Sequence, residues 1–80
     1  MENKLAVLAI IIDNSDAVQR VNALLHEFGD YILGRMGLPY KKRSLNVISI
    51  VIDAPMQIIN SLSGKLGMID GVSSKTLTAR

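Results

Sequence analysis

Leu5-Ala6-Val7-Leu8-Ala9-Ile10-Ile11-Ile12 is the stretch that decides the fold, read together with its counterpart Leu45-Asn46-Val47-Ile48-Ser49-Ile50-Val51-Ile52. Each run is too short for a buried helix, is rich in branched aliphatic residues and is bounded by polar ones, so each reads as a strand. Successive strand side chains point to opposite faces. In the later run Ile48, Ile50 and Ile52 share one face, and Leu45, Val47 and Val51 share the other with Ser49 between them. The earlier run likewise offers a row containing Leu5, Val7 and Ile11. A strand that is apolar on both faces belongs in the middle of a sheet. The other two plausible strands, Ile32–Leu38 and Val72–Thr78, are broken by Gly34 and Gly37 or dominated by polar residues, and read as edges.

The segments between these strands read as helices. After strand one, from Lys4 to Ile12, Asp13-Asn14-Ser15-Asp16 supplies four residues able to cap a helix. With Asp16 as the cap, Gln19 falls at the capping-box spacing, and Asp16 and Arg20 sit one turn apart. Ala17, Val18, Val21, Leu24, Leu25 and Phe28 recur at three- and four-residue steps and make one apolar face. Gly29 is expected to end this helix in the left-handed conformation. Strand two resumes at Tyr31, with Gly34 and Gly37 marking a bulge or a close backbone approach and Pro39 placed at a strand end or edge. Lys41-Lys42-Arg43-Ser44 connects to strand three. Asp53-Ala54-Pro55 is expected to begin helix two, whose buried stripe is Met56, Ile58, Ile59, Leu62 and Leu66 and which ends at Gly67. Ile69-Asp70-Gly71-Val72 is a tight turn into strand four, and the tail Ala79-Arg80 is expected to fray.

The order is βαββαβ. Two right-handed βαβ crossovers folded together give an α+β, ferredoxin-like split unit: a four-stranded antiparallel sheet of order 4-1-3-2 with both helices on one face. The central strands of that order are one and three, the two that composition marks as buried on both faces.

Eighty residues make one domain, spanning residues 1–80. A domain of this size has a marginal core of its own, and small scaffolds are reinforced by disulfides, metal or self-association. The chain has no Cys and a single His, His26, so the first two routes are closed within one chain and no metal site or cofactor is expected. Hydrophobic residues make up 49% and charged residues 20%, which is a globular balance. A net charge of +2 is too small to make nucleic acid or an anionic membrane the default partner. The run Leu5–Ile12 is too short to span a bilayer; Lys4 before it gives a faint likeness to a signal peptide, but no small-residue cleavage site follows. A cytoplasmic location without membrane contact is the expectation. No Cys nucleophile, paired carboxylates or Ser/His/Asp set can be placed together, so the chain reads as a non-enzyme.

With both helices on one face, the other face of the sheet carries an aliphatic row from each central strand. The expected outward set is Leu45, Val47 and Val51 with Leu5, Val7 and Ile11, although periodicity alone does not say which row faces the helices. Burying six aliphatic side chains at about 1.5–3 kcal/mol each gains roughly 10 kcal/mol before association costs. The sum favours a homo-oligomer, dimer or tetramer, joined through these faces.

Several segments carry a family likeness. Val21-Asn22, Gly29-Asp30, Gly34-Arg35-Met36-Gly37-Leu38-Pro39-Tyr40, Val47-Ile48-Ser49 and Gly64-Lys65-Leu66-Gly67 followed by Gly71-Val72 are similar to the iron-only hydrogenase system regulators. The likeness runs from about Lys4 to Lys75. It implies a stand-alone, self-associating ACT-like domain similar to the C-terminal domain of nickel-responsive repressors, with a transcriptional or regulatory role and a possible protein partner in hydrogenase maturation or regulation. The chain departs from the nickel repressors. Its first sheet strand starts at about Lys4, where they carry a ribbon-helix-helix, and their several metal-binding His and Cys have only His26 to match. It also lacks the Pro-Gly turn that amino-acid-binding ACT domains place before the first helix.

Three candidate sites follow, the first two lying where a small effector is expected to bind between subunits, near Asn14, Ser15 and the Gly34–Tyr40 strand. Asn14 and Ser15 sit where an ACT-type small-molecule effector would meet the first helix, against a plainer role as caps. Arg35 and Gly37 offer a carboxylate or phosphate clamp and close backbone approach, against a bulged edge with a solvated Arg. Lys41, Lys42 and Arg43 offer phosphate contacts to DNA, against a charged hairpin tip. Ser63-Gly64-Lys65 echoes a phosphate loop without its spacing, and His26 falls on the polar side of helix one.

Overall fold

In this computed structural model, which describes residues 2–79, the chain runs β1 (Asn3–Ile12), α1 (Ala17–Glu27), β2 (Ile32–Tyr40), β3 (Leu45–Pro55), α2 (Met56–Gly67) and β4 (Val72–Thr78). Short 3-10 turns at Gly29–Tyr31 and Lys41–Arg43 precede β2 and β3. The sheet is antiparallel throughout, in the order β2-β3-β1-β4. This is the expected 4-1-3-2 order read from the opposite edge, and the two doubly apolar strands are its centre.

The core lies between the helices and one face of the sheet. Ala6, Leu8, Ile10 and Ile12 of β1 and Ile48, Ile50, Ile52 and Ala54 of β3 pack with Val21, Leu25 and Phe28 of the α1 region and Ile59, Leu62 and Leu66 of α2. The open question of which row faces inward is thereby answered. Ile48, Ile50 and Ile52 are buried under the helices, and Leu5, Val7 and Ile11 stay exposed on the other side.

Five local expectations are corrected. Asp16 stands at the N-cap of α1, but its side chain makes no capping hydrogen bond. Instead Asn14 Oδ1 accepts from the Asp16 N–H at 3.0 Å, so the cap is built two residues earlier as an Asx turn. The Asp16–Arg20 pair does not form among the described residues, whose ion pairs are Lys4–Glu2 and Lys65–Glu27. Gly29 is not left-handed; α1 runs on through Phe28 into the 3-10 turn, and Gly71 is the glycine with positive φ. Asp53, Ala54 and Pro55 extend β3 rather than open α2, because β1 is long enough to pair with them through Asp53↔Leu5, Ala54↔Lys4 and Pro55↔Asn3. Ala79 is also held, donating its N–H to the Leu5 carbonyl at 2.8 Å, while Arg80 lies outside the described residues.

Strand β2 is an edge with a register shift between Ile32 and Gly34, the irregularity that the glycines led us to expect. Pro39 sits within it opposite Asn46. An edge strand has one side free of pairing, which lets it hold a residue with no N–H.

Candidate functional site

The alternation of β2 gives its two faces different work. Arg35, Gly37 and Pro39 lie opposite Ile50, Ile48 and Asn46, on the side that carries the helices. Met36, Leu38 and Tyr40 lie opposite Ser49, Val47 and Leu45, on the open side.

On the helix side, α1 and β2 do not close completely. A groove of about 250 Å³ runs between them, with Val18 and Asn22 on the helix wall and Arg35, Gly37, Pro39 and Asn46 on the sheet wall. Arg35 Nη2 donates to Asn22 Oδ1 at 2.7 Å across the rim. A Cβ built on Gly37 meets nothing within 4 Å, so the missing side chain leaves real space. Two of the expected effector residues, Arg35 and Gly37, are thus brought together. Asn14 and Ser15 are not in this groove. Asn14 is committed to the turn before α1, and Ser15 lines a neighbouring cleft of about 360 Å³ with Tyr40, Lys41 and Ser44. The two clefts share Pro39 and Asn46.

The basic cluster forms an exposed 3-10 turn that ends at Ser44, a left-handed residue with φ 54°. Lys41, Lys42 and Arg43 have no carboxylate partner among the described residues. Ser63-Gly64-Lys65 lies inside α2, where Lys65 pairs with Glu27 at 3.3 Å and sits 5.5 Å from the Phe28 ring centroid. That is a helix-to-helix contact, not a phosphate loop. His26 is exposed in the last turn of α1.

The open side of the sheet carries a run of exposed apolar side chains. By register, Val7, Ala9 and Ile11 of β1 lie opposite Val51, Ser49 and Val47 of β3, Leu5 lies opposite Asp53, and Leu45 lies opposite Tyr40 of β2. Leu45, Val47 and Val51 are half-buried by their neighbours, and all six residues expected there are on this face. Sequence reasoning missed four more: Met36, Leu38 and Tyr40 from β2 and Leu77 from β4, all exposed. The bulge before Gly34 hid the first three, because it shifts the alternation that would otherwise have been counted from Ile32. Asn22 was also missed as a site residue, since its partner Arg35 lies 13 residues away in sequence. The face carries one charge near its middle, Lys75, and Asp53 at one end.

Among the described residues no helix is long and apolar enough to cross a membrane. The profile of the TM1266-like family, described as iron-only hydrogenase system regulators, matches residues 4–76. Among solved structures, the protein TM1266 from Thermotoga maritima superposes with a TM-score of 0.94 at 38% identity, covering 99% of this chain and 100% of that one. A protein from Galdieria sulphuraria gives a TM-score of 0.66 at 11% identity over 99% of this chain and 46% of its own. A formyltetrahydrofolate deformylase from Pseudomonas putida KT2440 gives 0.65 at 11% identity over 91% of this chain and 28% of its own. The last two share the fold alone. No curated protein sequence matches the chain.

Proposed function

The chain belongs to the TM1266-like family of iron-only hydrogenase system regulators, and from that premise we propose that it is a self-associating regulatory domain whose copies join through their open sheet faces and which responds to a small effector. The observation that carries the reading is the apolar, charge-poor face. Seven of its large apolar side chains, Leu5, Val7, Ile11, Met36, Leu38, Tyr40 and Leu77, are between 38% and 75% exposed. Together they offer on the order of 700 Å² per copy, close to the ~800 Å² a side of a standard interface. Monomers rarely leave such a patch in water. Two such faces packed at the usual ~10 Å spacing make a sandwich with a second core, which supplies what an 80-residue chain lacks on its own.

The role is regulatory rather than catalytic, and the location cytoplasmic, in this reading. Sedimentation at micromolar concentration tests the assembly. The expected result is a species of at least twice the 8.7 kDa chain mass. A lone 8.7 kDa species would end the self-association reading and turn the same face toward a different protein, such as a component of hydrogenase maturation.

A second reading rests on the unpaired basic turn. Assembly doubles the cluster Lys41, Lys42 and Arg43, which gives a nucleic-acid contact a larger charge to work with. The test is retention on DNA that weakens with salt and is lost when all three residues become alanine. A wild-type chain without salt-sensitive retention removes this reading.

A further inference from the structure

We propose that the groove between α1 and β2 binds a small carboxylate, with the Arg35 guanidinium as the anion clamp and Asn22 as the residue that positions it. The inference deepens the effector half of the reading above and rests on it. Three observations converge. The first is room: Gly37 occupies a helix-facing position of β2 opposite Ile48, and a Cβ there meets nothing within 4 Å. The second is charge held in place. Arg35 has no carboxylate partner among the described residues, and its side-chain bond goes to the neutral Asn22 amide at 2.7 Å. A guanidinium has five donors, so one bond to Asn22 leaves the planar fork able to take two carboxylate oxygens. Tethering it beforehand removes part of the entropy cost that a free surface arginine meets on binding.

The third observation is size and lining. The groove holds about 250 Å³, below the ~300–1,000 Å³ of pockets for drug-sized ligands and cofactors. That suits a metabolite of a few carbons and not a nucleotide. Val18, Pro39 and Ile48 offer apolar contact to a short carbon body, and Asn46 offers a second hydrogen-bonding group. With one cation and two neutral amides, the groove matches a singly charged carboxylate better than a dianionic phosphate. The groove is walled on the helix side by Val18 and Asn22, and Leu38 and Val47 also border it.

The test is titration of the ¹⁵N-labelled chain with butyrate, 2-oxobutyrate and, separately, inorganic phosphate, followed by NMR. Saturable shifts centred on Gly37, Asn22 and Asn46 with at least one carboxylate are the expected result. Arg35→Lys keeps the charge but loses the fork, and should weaken binding by about tenfold or more. Gly37→Leu should abolish binding by filling the groove. Asn22→Ala removes only the tether and should weaken binding less than Arg35→Gln, which guards against misreading a folding defect. No saturable shift with any carboxylate, equal affinity in Arg35→Gln, or preference for phosphate would each overturn the proposal. Sedimentation of the same samples separates the two readings: assembled chains that ignore carboxylates sink the groove alone, and monomers that bind them sink the assembly alone.

Discussion

Gly71 ties the loop before α1 to the turn before β4. Its φ is +82°, and a Cβ there would come within 2.5 Å of the Asn14 Cβ and 3.0 Å of Asp13 Oδ1. Its carbonyl accepts from the Asp13 N–H at 2.9 Å. Two penalties therefore meet at one atom: a left-handed backbone that L side chains avoid, and contact with a side chain that is itself fixed by the Asx turn. Gly71→Ala should cost about 1–3 kcal/mol, read as a lower urea midpoint with an unchanged slope. Asn14→Ala removes the acceptor that holds the Asp16 N–H, and should cost about 1 kcal/mol in the same assay. The opposite substitution, Asp16→Ala, should cost clearly less, since the Asp16 side chain makes no cap hydrogen bond.

The elements differ in how firmly they are held. Strands β1 and β3 pair on both sides and carry the buried rows, whereas β2 and β4 each pair on one side. All of β2 beyond Ile32 is exposed. Local opening follows burial and pairing, so amide exchange should be fastest in β2 and β4 and should approach the global unfolding limit in β1 and β3. Equal protection across all four strands would contradict this ranking. Helix α2 meets β1, β3 and β4 through Ile59, Leu62 and Leu66. Leu62 is fully buried, and Leu62→Ala should cost about 2–5 kcal/mol in chemical denaturation. The exposed Lys65–Glu27 pair joins α2 to α1, but an exposed pair of this kind contributes little, and its removal should be near neutral.

For the molecule as a whole, the two faces of the sheet carry separate properties. The helix side holds the core and the Arg35 groove; the open side holds the apolar surface. Val51 sits in the middle of that surface, opposite Val7 and Gly34. Val51→Asp places a charge where two faces would meet while leaving the helix-side core untouched. Such a variant should sediment as a folded 8.7 kDa monomer with native circular dichroism. If it stays assembled, the open face is not the contact. The neighbouring-residue alternation of β2 also places the groove and the surface on one strand, so Arg35→Gln should leave the sedimentation profile unchanged.

The chain sequence determined its own element order and its central strands. Runs rich in branched aliphatic residues on both faces suit the middle of a sheet, where strands pair on both edges, and Leu5–Ile12 and Leu45–Ile52 are such runs. It also determined that an aliphatic face would remain, because each central strand has two apolar rows and the helices cover one. The choice between those rows was not legible: Leu8, Ile10 and Ile12 differ little in hydropathy from Leu5, Val7 and Ile11. Only the packing of α1 and α2 decided it. The helix boundaries were half legible for a similar reason. Local rules placed the start of α2 at Asp53-Ala54-Pro55, but pairing with a long β1 drew Asp53–Pro55 into the sheet. The groove was the least legible feature. Arg35 and Gly37 could be singled out as unusual residues on a strand, yet Asn22 reaches Arg35 only because α1 lies across the edge of the sheet. A contact across 13 residues between two elements has no local signature; three-dimensional packing creates it.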